Sequence, residues 1–228
     1  MFSLILPTYN ESANVPRCVE AVCRVLEGRE FEIIVADDDS PDRTWEIAEK
    51  LANPRVRVLR RTKNRGLSPA VVEGFEFATG DRLGVMDADL QHDEAILPQM
   101  IDALDTNEFV IGSRAVRGGS YGNWSAMRRF SSWGAATMAR TILGVRISDP
   151  MAGYFALRRE VFERVRPRLS PKGFKIMLEL FCLARPRAFA EIGYTFRTRQ
   201  AGESKVSAKV AREYVKSLFE LRRRMRER

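Results

Sequence analysis

The chain has 228 residues, 45% hydrophobic and 30% charged, with a formal net charge of +8. That composition excludes a disordered chain and supplies enough apolar mass for one sizeable core. The basic surplus points to anionic partners (phosphates, nucleic acid or acidic lipid headgroups) without choosing among them.

The first apolar run, residues 2–6, closes at Pro7 and predicts a buried parallel strand. A helix is expected over about 14–26, with Pro16 in its first turn. Residues 31–36 predict a second strand, ended by Asp37, Asp38 and Asp39. A helix over 44–51, a strand over 56–59, a helix over 67–78, a strand over 83–86, a helix over 93–104 and a strand over 109–112 follow. This alternation predicts an open, doubly wound α/β sheet. Right-handed crossovers bring the C-terminal ends of its strands to one edge, where such sheets bind ligands. The polar clusters 7–11, 37–42 and 87–91 all fall at that edge.

Beyond Ser113 the rhythm changes. Gly118, Gly119 and Gly122 mark a loop. Helices are expected over about 125–143 and 174–184, and strands over 154–157 and 190–195. In the tail, Ala211, Tyr214, Val215, Leu218, Leu221 and Met225 recur at helical spacing among eight Lys and Arg residues. A basic amphipathic helix of this kind fits a place on an anionic leaflet, or packing against the domain with a solvated end. The organisation expected is one α/β domain over 1–205 and this helix over 206–228.

No basic lead or apolar run of about 20 residues is present; Arg140 interrupts the best stretch. Cys18, Cys23 and Cys182 match no zinc or redox spacing. A cytoplasmic protein with reduced cysteines is the expectation.

The strongest chemical signal is Asp87-Ala88-Asp89-Leu90-Gln91 after an apolar strand. In extended chain, positions 87, 89 and 91 point to one side, and three oxygen donors there suit Mg²⁺ or Mn²⁺. The plainer reading is a cap for the next helix, with Asp93 at its start. In Asp37-Asp38-Asp39-Ser40-Pro41-Asp42, adjacent carboxylates repel one another, a cost more readily accepted where a ligand or cation uses the charge. A solvated turn in which Asp42 caps a helix is the alternative. In Pro7-Thr8-Tyr9-Asn10-Glu11, Tyr9 can stack on a base and Glu11 can accept from a ribose hydroxyl. Arg114, Arg117, Arg128, Arg129, Arg199 and Lys205 are a dispersed cationic set suited to phosphate or to plain solvation. His92 is the only histidine, so histidine-rich metal sites are excluded.

Taken in order, these motifs, with Gly112-Ser113-Arg114, Asp149-Pro150-Met151-Ala152-Gly153-Tyr154 and Gly202-Glu203-Ser204-Lys205, resemble the dolichol- or polyprenyl-phosphate mannose synthases of the inverting family-2 glycosyltransferases. The resemblance implies a Rossmann-like GT-A fold with a mostly parallel sheet. It implies that Pro7, Tyr9, Glu11, Ala36, Asp37 and Asp38 hold the nucleoside, with Ala88 beside it. Asp89 and Gln91 would bind Mg²⁺ or Mn²⁺, with Asp87 lining the sugar pocket. Arg199 and Lys205 would hold the donor diphosphate, and Arg114, Arg128 and Ser132 the acceptor phosphate. Asp39 departs from the glycine of many relatives. The implied partners are GDP-mannose, a polyprenyl or dolichyl phosphate, the cytoplasmic face of a membrane and a membrane-spanning partner protein. UDP-glucose is the rival donor. A basic nucleic-acid binder is the rival class, disfavoured because the cations are not interleaved with aromatics and three acidic clusters line the ligand edge.

Overall fold

In the computed structural model, residues 1–170, 175–197 and 208–227 are described. Strands β1 (Phe2–Thr8) and β2 (Phe31–Asp37) are almost continuously buried, because helices cover both faces of the sheet. Between them, α1 (Val15–Val25) buries Val15, Cys18, Val19 and Val22 at helical spacing, with proline in its first turn. Then come α2 (Thr44–Lys50), β3 (Val56–Arg60), α3 (Leu67–Phe77) and β4 (Arg82–Val85). A 3₁₀ turn over Glu94–Ile96 leads into α4 (Leu97–Ala103), so the expected helix over 93–104 starts late. β5 (Phe109–Ser113) precedes the long α5 (Ala126–Leu143), which opens with Ser125 accepting from Arg128 N and closes at Gly144 in the left-handed conformation.

The last elements are β6 (Phe155–Arg158), α6 (Arg159–Val165), α7 (Ile176–Ala184), β7 (Phe189–Gly193) and α8 (Ala208–Arg224). The seven strands lie in the order β3-β2-β1-β4-β6-β5-β7. All neighbours are parallel except β6, which runs against both β4 and β5. The sheet is therefore mostly parallel, with one reversed strand that the alternation of elements did not indicate.

Strand periodicity divides the apolar residues between two cores. Ile5 and Ile34 join Val71, Phe75, Phe155 and Phe162 on one side. Leu4, Leu6, Ile33 and Val35 join Val19, Val22, Met100 and Tyr154 on the other. Burying one such aliphatic side chain contributes roughly 1.5–3 kcal/mol. Helix α3 approaches β1 so closely that a Cβ on Gly74 would lie 2.8 Å from Ile5 Cγ2, so any larger residue there forces the two apart.

The apolar stripe of α8 is used within the protein. Tyr214, Leu218 and Leu221 are buried in the first core, and the Tyr214 hydroxyl donates to Ala135 O of α5 at 3.1 Å. Arg224 donates to Glu179 Oε1 at 2.7 Å and to Arg168 O. Packing against the domain, the second of the two alternatives for this segment, is what this stripe does. Among the described residues, no helix is long and apolar enough to cross a membrane.

Candidate nucleotide-sugar and phosphate site

The loops after β1, β2 and β4 meet at one edge of the sheet. The Asp37 carboxylate is fully buried and accepts from Thr8 Oγ1 at 2.8 Å, Ser40 N at 2.8 Å and Ser40 Oγ at 2.6 Å. It ties the first two loops together. Asn10 N donates to Ser40 Oγ, Glu11 N to Thr44 Oγ1 and Ser12 N to Asp42 Oδ2, each at 3.0 Å. Burial opposes ionisation of Asp42, but hydrogen bonds from Thr44 and Ser12 outweigh it and hold the carboxyl below its ordinary value.

The chain's own cations offset the repulsion among the three aspartates. Asp38 accepts from the buried Arg61 guanidinium and from Gly66 N at 2.6 Å. Burial still holds Asp38 above the usual carboxylate range, against Gly66 N and Arg61. Asp39 has φ 54°, the left-handed region that favours glycine, and pairs with Arg60 and Arg65. These interactions do not require a bound cation to explain the acidic run. Ala36 is buried at the end of β2, Pro7 lies within β1, and Tyr9 projects just beyond it at 55% exposure.

The segment after β4 is turned, not extended. Leu90 has φ 62°, and Asp89 Oδ1 accepts from Gln91 N at 3.1 Å. The expected one-sided row of 87, 89 and 91 therefore does not form: a left-handed residue between 89 and 91 breaks the alternation on which it rests. Asp89 and Gln91 remain adjacent within the turn, and Ala88 is buried beneath it. Gln91 Nε2 donates to Arg197 O at 3.0 Å, and Arg197 N to Gln91 O at 2.8 Å. The chain thus reaches residue 197 beside this turn; Arg199 and Lys205 lie outside the described residues.

Asp87 follows a different path. Its Oδ2 lies 3.2 Å from His92 Nε2, and the Tyr194 hydroxyl lies 3.1 Å from His92 Nδ1. Burial pushes the Tyr194 phenol far above its ordinary value, so it stays an O–H donor. A carboxylate can only accept, so Nε2 of His92 is the donor toward Asp87, while the Tyr194 hydroxyl can pair with Nδ1 as donor or acceptor. The imidazole is packed by Tyr154, Tyr194 and Phe196, which leaves it one orientation. The other flank of Asp87 is kept open by Gly153, where a Cβ would stand 3.5 Å from Oδ2.

Asp87 and His92 line a cavity of about 200 Å³ with Arg114, Trp124, Arg128, Gly153, Lys175 and other residues. Arg114 is buried and pairs with Asp149 through Nε at 2.7 Å and Nη2 at 2.9 Å. Burial works against its charge, but Asp149 more than compensates. Arg128 lies across the Trp124 ring, 3.8 Å from its centroid. Burial and the nearby Arg114 both weaken its hold on the proton. Ser132 is one turn further along α5 and hydrogen-bonds Tyr121. The structure therefore brings Asp87, Arg114 and Arg128 together, with Ser132 on the same helical face as Arg128. Asp149, Tyr194 and Lys175 were not among the sequence candidates. Only Asp149 carried a signal, its place in the Asp149–Tyr154 motif.

Comparisons with known proteins identify the family and the fold. Residues 3–166 match the model of Glycosyl transferase family 2. The chain is 44% identical over 223 residues to a dolichol-phosphate mannosyltransferase of Pyrococcus furiosus, covering 96% of this chain and 63% of that protein. It is 38% identical over 232 residues to the dolichol-phosphate mannosyltransferase of Saccharomyces cerevisiae (96% and 86% covered). Identity to a polyprenol monophosphomannose synthase of Mycolicibacterium smegmatis is 39% over 220 residues (92% and 82% covered). The chain thus spans less than two thirds of the Pyrococcus relative and most of the other two. Among solved structures, glucosyl-3-phosphoglycerate synthase from Mycobacterium tuberculosis with Mn²⁺, UDP and glucosyl-3-phosphoglycerate superposes with a TM-score of 0.72 at 18% identity, over 97% of this chain and 78% of that one. A structure of the same enzyme with Mg²⁺ and UDP gives 0.69 at 17% identity, over 97% and 77%. These two likenesses concern the fold. The chain belongs to glycosyltransferase family 2 and is a glycosyltransferase with the GT-A α/β fold.

Proposed function

We propose that this chain transfers mannose from GDP-mannose to a dolichyl or polyprenyl phosphate, with inversion to a β-linked product. One observation carries the reading: relatives named as dolichol-phosphate mannosyltransferase or polyprenol monophosphomannose synthase align with 92–96% of the chain. The cavity in which Asp87 faces cationic groups supports it, because a sugar and an anionic acceptor must meet at one point.

In this reading Tyr9, Pro7, Glu11, Ala36 and Asp38 hold the nucleoside, and Asp37 acts by locking the two loops that carry them. Asp89 and Gln91 hold Mg²⁺ or Mn²⁺. Among the described residues there is no group of three or more His, Cys, Asp or Glu side chains able to enclose a metal. A carboxylate and a carboxamide oxygen in one turn fit these ions, which keep waters and take further oxygens from a substrate diphosphate. When bound, the ion neutralises charge on the leaving nucleoside diphosphate. Arg199 and Lys205 hold that diphosphate. Arg114, Arg128 and Ser132 receive the acceptor phosphate beside Asp87, which His92 orients toward the sugar. A phosphate acceptor is already ionised near neutral pH, so the chain's part is positioning and charge stabilisation, with no strong base required.

Attachment to the cytoplasmic face of a membrane is part of the same reading. The residues that support it lie on α5, where Met127, Phe130 and Trp133 are 74%, 67% and 59% exposed beside Arg128 and Arg129. Apolar side chains with flanking cations suit an anionic bilayer surface. A membrane-spanning partner would supplement this contact.

The test is transfer of radiolabelled sugar from GDP-mannose to a short polyprenyl phosphate, with Mn²⁺ or Mg²⁺ and with chelator, for wild type and Asp89→Ala. Metal-dependent labelling of the lipid, lost in the variant, is the expected result. Labelling from UDP-glucose alone would overturn the choice of donor, and an α-linked product would overturn inversion.

A further inference from the structure

A buried guanidinium joins the turn after β2 to α3. Arg61 follows β3, and its backbone N donates to Asp37 O at 2.7 Å, one step beyond the last paired residues, Asp37 and Arg60. Its side chain has no exposure to solvent. The guanidinium donates to Asp38 Oδ1, to the two carboxylate oxygens of Glu73 at 2.9 and 3.0 Å, and to Asn64 O at 2.7 Å. The other oxygen of Asp38, Oδ2, accepts from Gly66 N at 2.6 Å, and Asp38 N donates to Thr8 O at 3.1 Å. One side chain therefore ties the Asp38 turn to the 61–66 loop and to α3. Glu73 is the outer end of this network, with its side chain 37% exposed against 11% for Asp38. Taking a guanidinium and a carboxylate out of water costs about as much as their attraction returns, so the pair adds little net stability. What a planar fork with fixed N–H directions supplies is orientation. A carboxylate oxygen has two lone pairs, so each oxygen of Asp38, with one donor from the chain, keeps a second place for accepting.

We propose that Arg61 is a positioning residue for the nucleotide: by fixing the direction of the Asp38 carboxylate, it presents that group's remaining lone pairs to N–H or O–H donors of the nucleoside. The inference rests on the nucleoside role proposed for Asp38. The Arg61 side chain is closed off from solvent and its contacts run to Asp38, Asn64 and Glu73, so it acts through the carboxylate and not by touching the nucleotide. Arg60 and Arg65, the other cations of this turn, are each about half exposed and pair with Asp39, which leaves Asp38 to Arg61. Arg61, Asp38 and Glu73 are not on the wall of the Asp87 cavity, which sets this network apart from the acceptor end of the site.

The experiment measures GDP and UDP binding by calorimetry, with Mg²⁺, in the full chain. The proteins are wild type, Asp38→Asn, Arg61→Met, Glu73→Gln and the double variants Arg61→Met/Asp38→Asn and Glu73→Gln/Asp38→Asn; the nucleotide that wild type binds more tightly is followed. Leu218→Ala, in the core beneath α8, is the destabilised control, and unfolding midpoints identify variants that fold. Losing one charge-assisted hydrogen bond to the nucleoside predicts about 10- to 100-fold weaker binding in Arg61→Met, and about 3- to 10-fold in Glu73→Gln, which keeps the Arg61–Asp38 contact but frees its far end. In the Asp38→Asn background the same changes cost less than about twofold, because their effect runs through that carboxylate, and the control binds as wild type does. A merely structural arginine would give the same loss in either background. Equal losses in both backgrounds would therefore overturn the proposal, as would folded Arg61→Met binding within about twofold of wild type. If Arg61→Met does not fold, Glu73→Gln decides by the same cycle. Wild type that binds neither nucleotide would overturn the nucleoside reading itself, and the assignment of Arg61 with it.

Discussion

Replacing Asp149 with alanine removes the counter-charge of a guanidinium that has almost no contact with water: the Arg114 side chain is 7% exposed and that of Asp149 1%. The lost acceptor serves Arg114 Nε, Nη2 and backbone N, and also Met151 N at 3.2 Å. Breaking one side of a buried pair costs about 3–5 kcal/mol, mostly because a charge is stranded. The faces of Tyr121, Trp124 and Phe196 remain 5.2–5.4 Å from Arg114 Cζ and soften the loss without replacing the carboxylate. For a domain of this size each kcal/mol shifts the midpoint by about 2–4 °C, so a fall of about 6–20 °C is expected. Urea titration of wild type, Asp149→Ala, Arg114→Met and the double variant Arg114→Met/Asp149→Leu measures it. The double variant regains at least about 2 kcal/mol over the sum of the single losses, because no charge is left unpaired. A loss below about 1 kcal/mol in Asp149→Ala, or strict additivity in the double variant, would refute the reasoning.

Leu218→Ala, which opens a void under α8, is expected to cost about 2–5 kcal/mol in thermal or urea unfolding while leaving vesicle binding intact. Phe130→Asp/Trp133→Asp is expected to lower co-sedimentation with anionic vesicles at least about tenfold and to spare transfer to a soluble short-chain acceptor. Burial and the nearby Arg114 draw the Lys175 ammonium down to about 8. By linkage, the unfolded chain binds the extra proton between pH 8 and the ordinary lysine value of 10.5, so this lysine's contribution to stability rises with pH across that window.

The strands before residue 113 were legible because buried parallel strands are near-continuous apolar runs, and the polar residues after them had to reach the ligand edge. The direction of β6 was not: four residues, Phe155–Arg158, carry no mark of orientation. α6 follows it with no intervening loop and left no separate signal. The turn at Leu90 escaped because nothing in a leucine announces a positive φ. Arg114 was singled out, but its partner lies 35 residues away, and such pairs are set by topology. The sequence shows an apolar stripe in α8, but whether lipid or protein covers it depends on α5 and α7, which periodicity cannot report. Lys175 belongs to no motif, and only the cavity brings it to Asp87 and Arg128.

The reversed strand also bears on how enzymes of this shape can diversify. Because β6 runs against its neighbours, its beginning faces the ligand edge, and the long excursion from Ser113 to Tyr154 both leaves and re-enters the sheet there. In the proposed reading, Arg114, Arg128 and Ser132, which receive the acceptor phosphate, hang between two fixed hinges. The loops proposed to hold the nucleoside and the metal hang on β1, β2 and β4. On that reading, substitutions, insertions or a recast helix in the excursion change which acceptor is met without shifting the loops on β1, β2 and β4. Donor choice and acceptor choice become separate inheritances within one sheet.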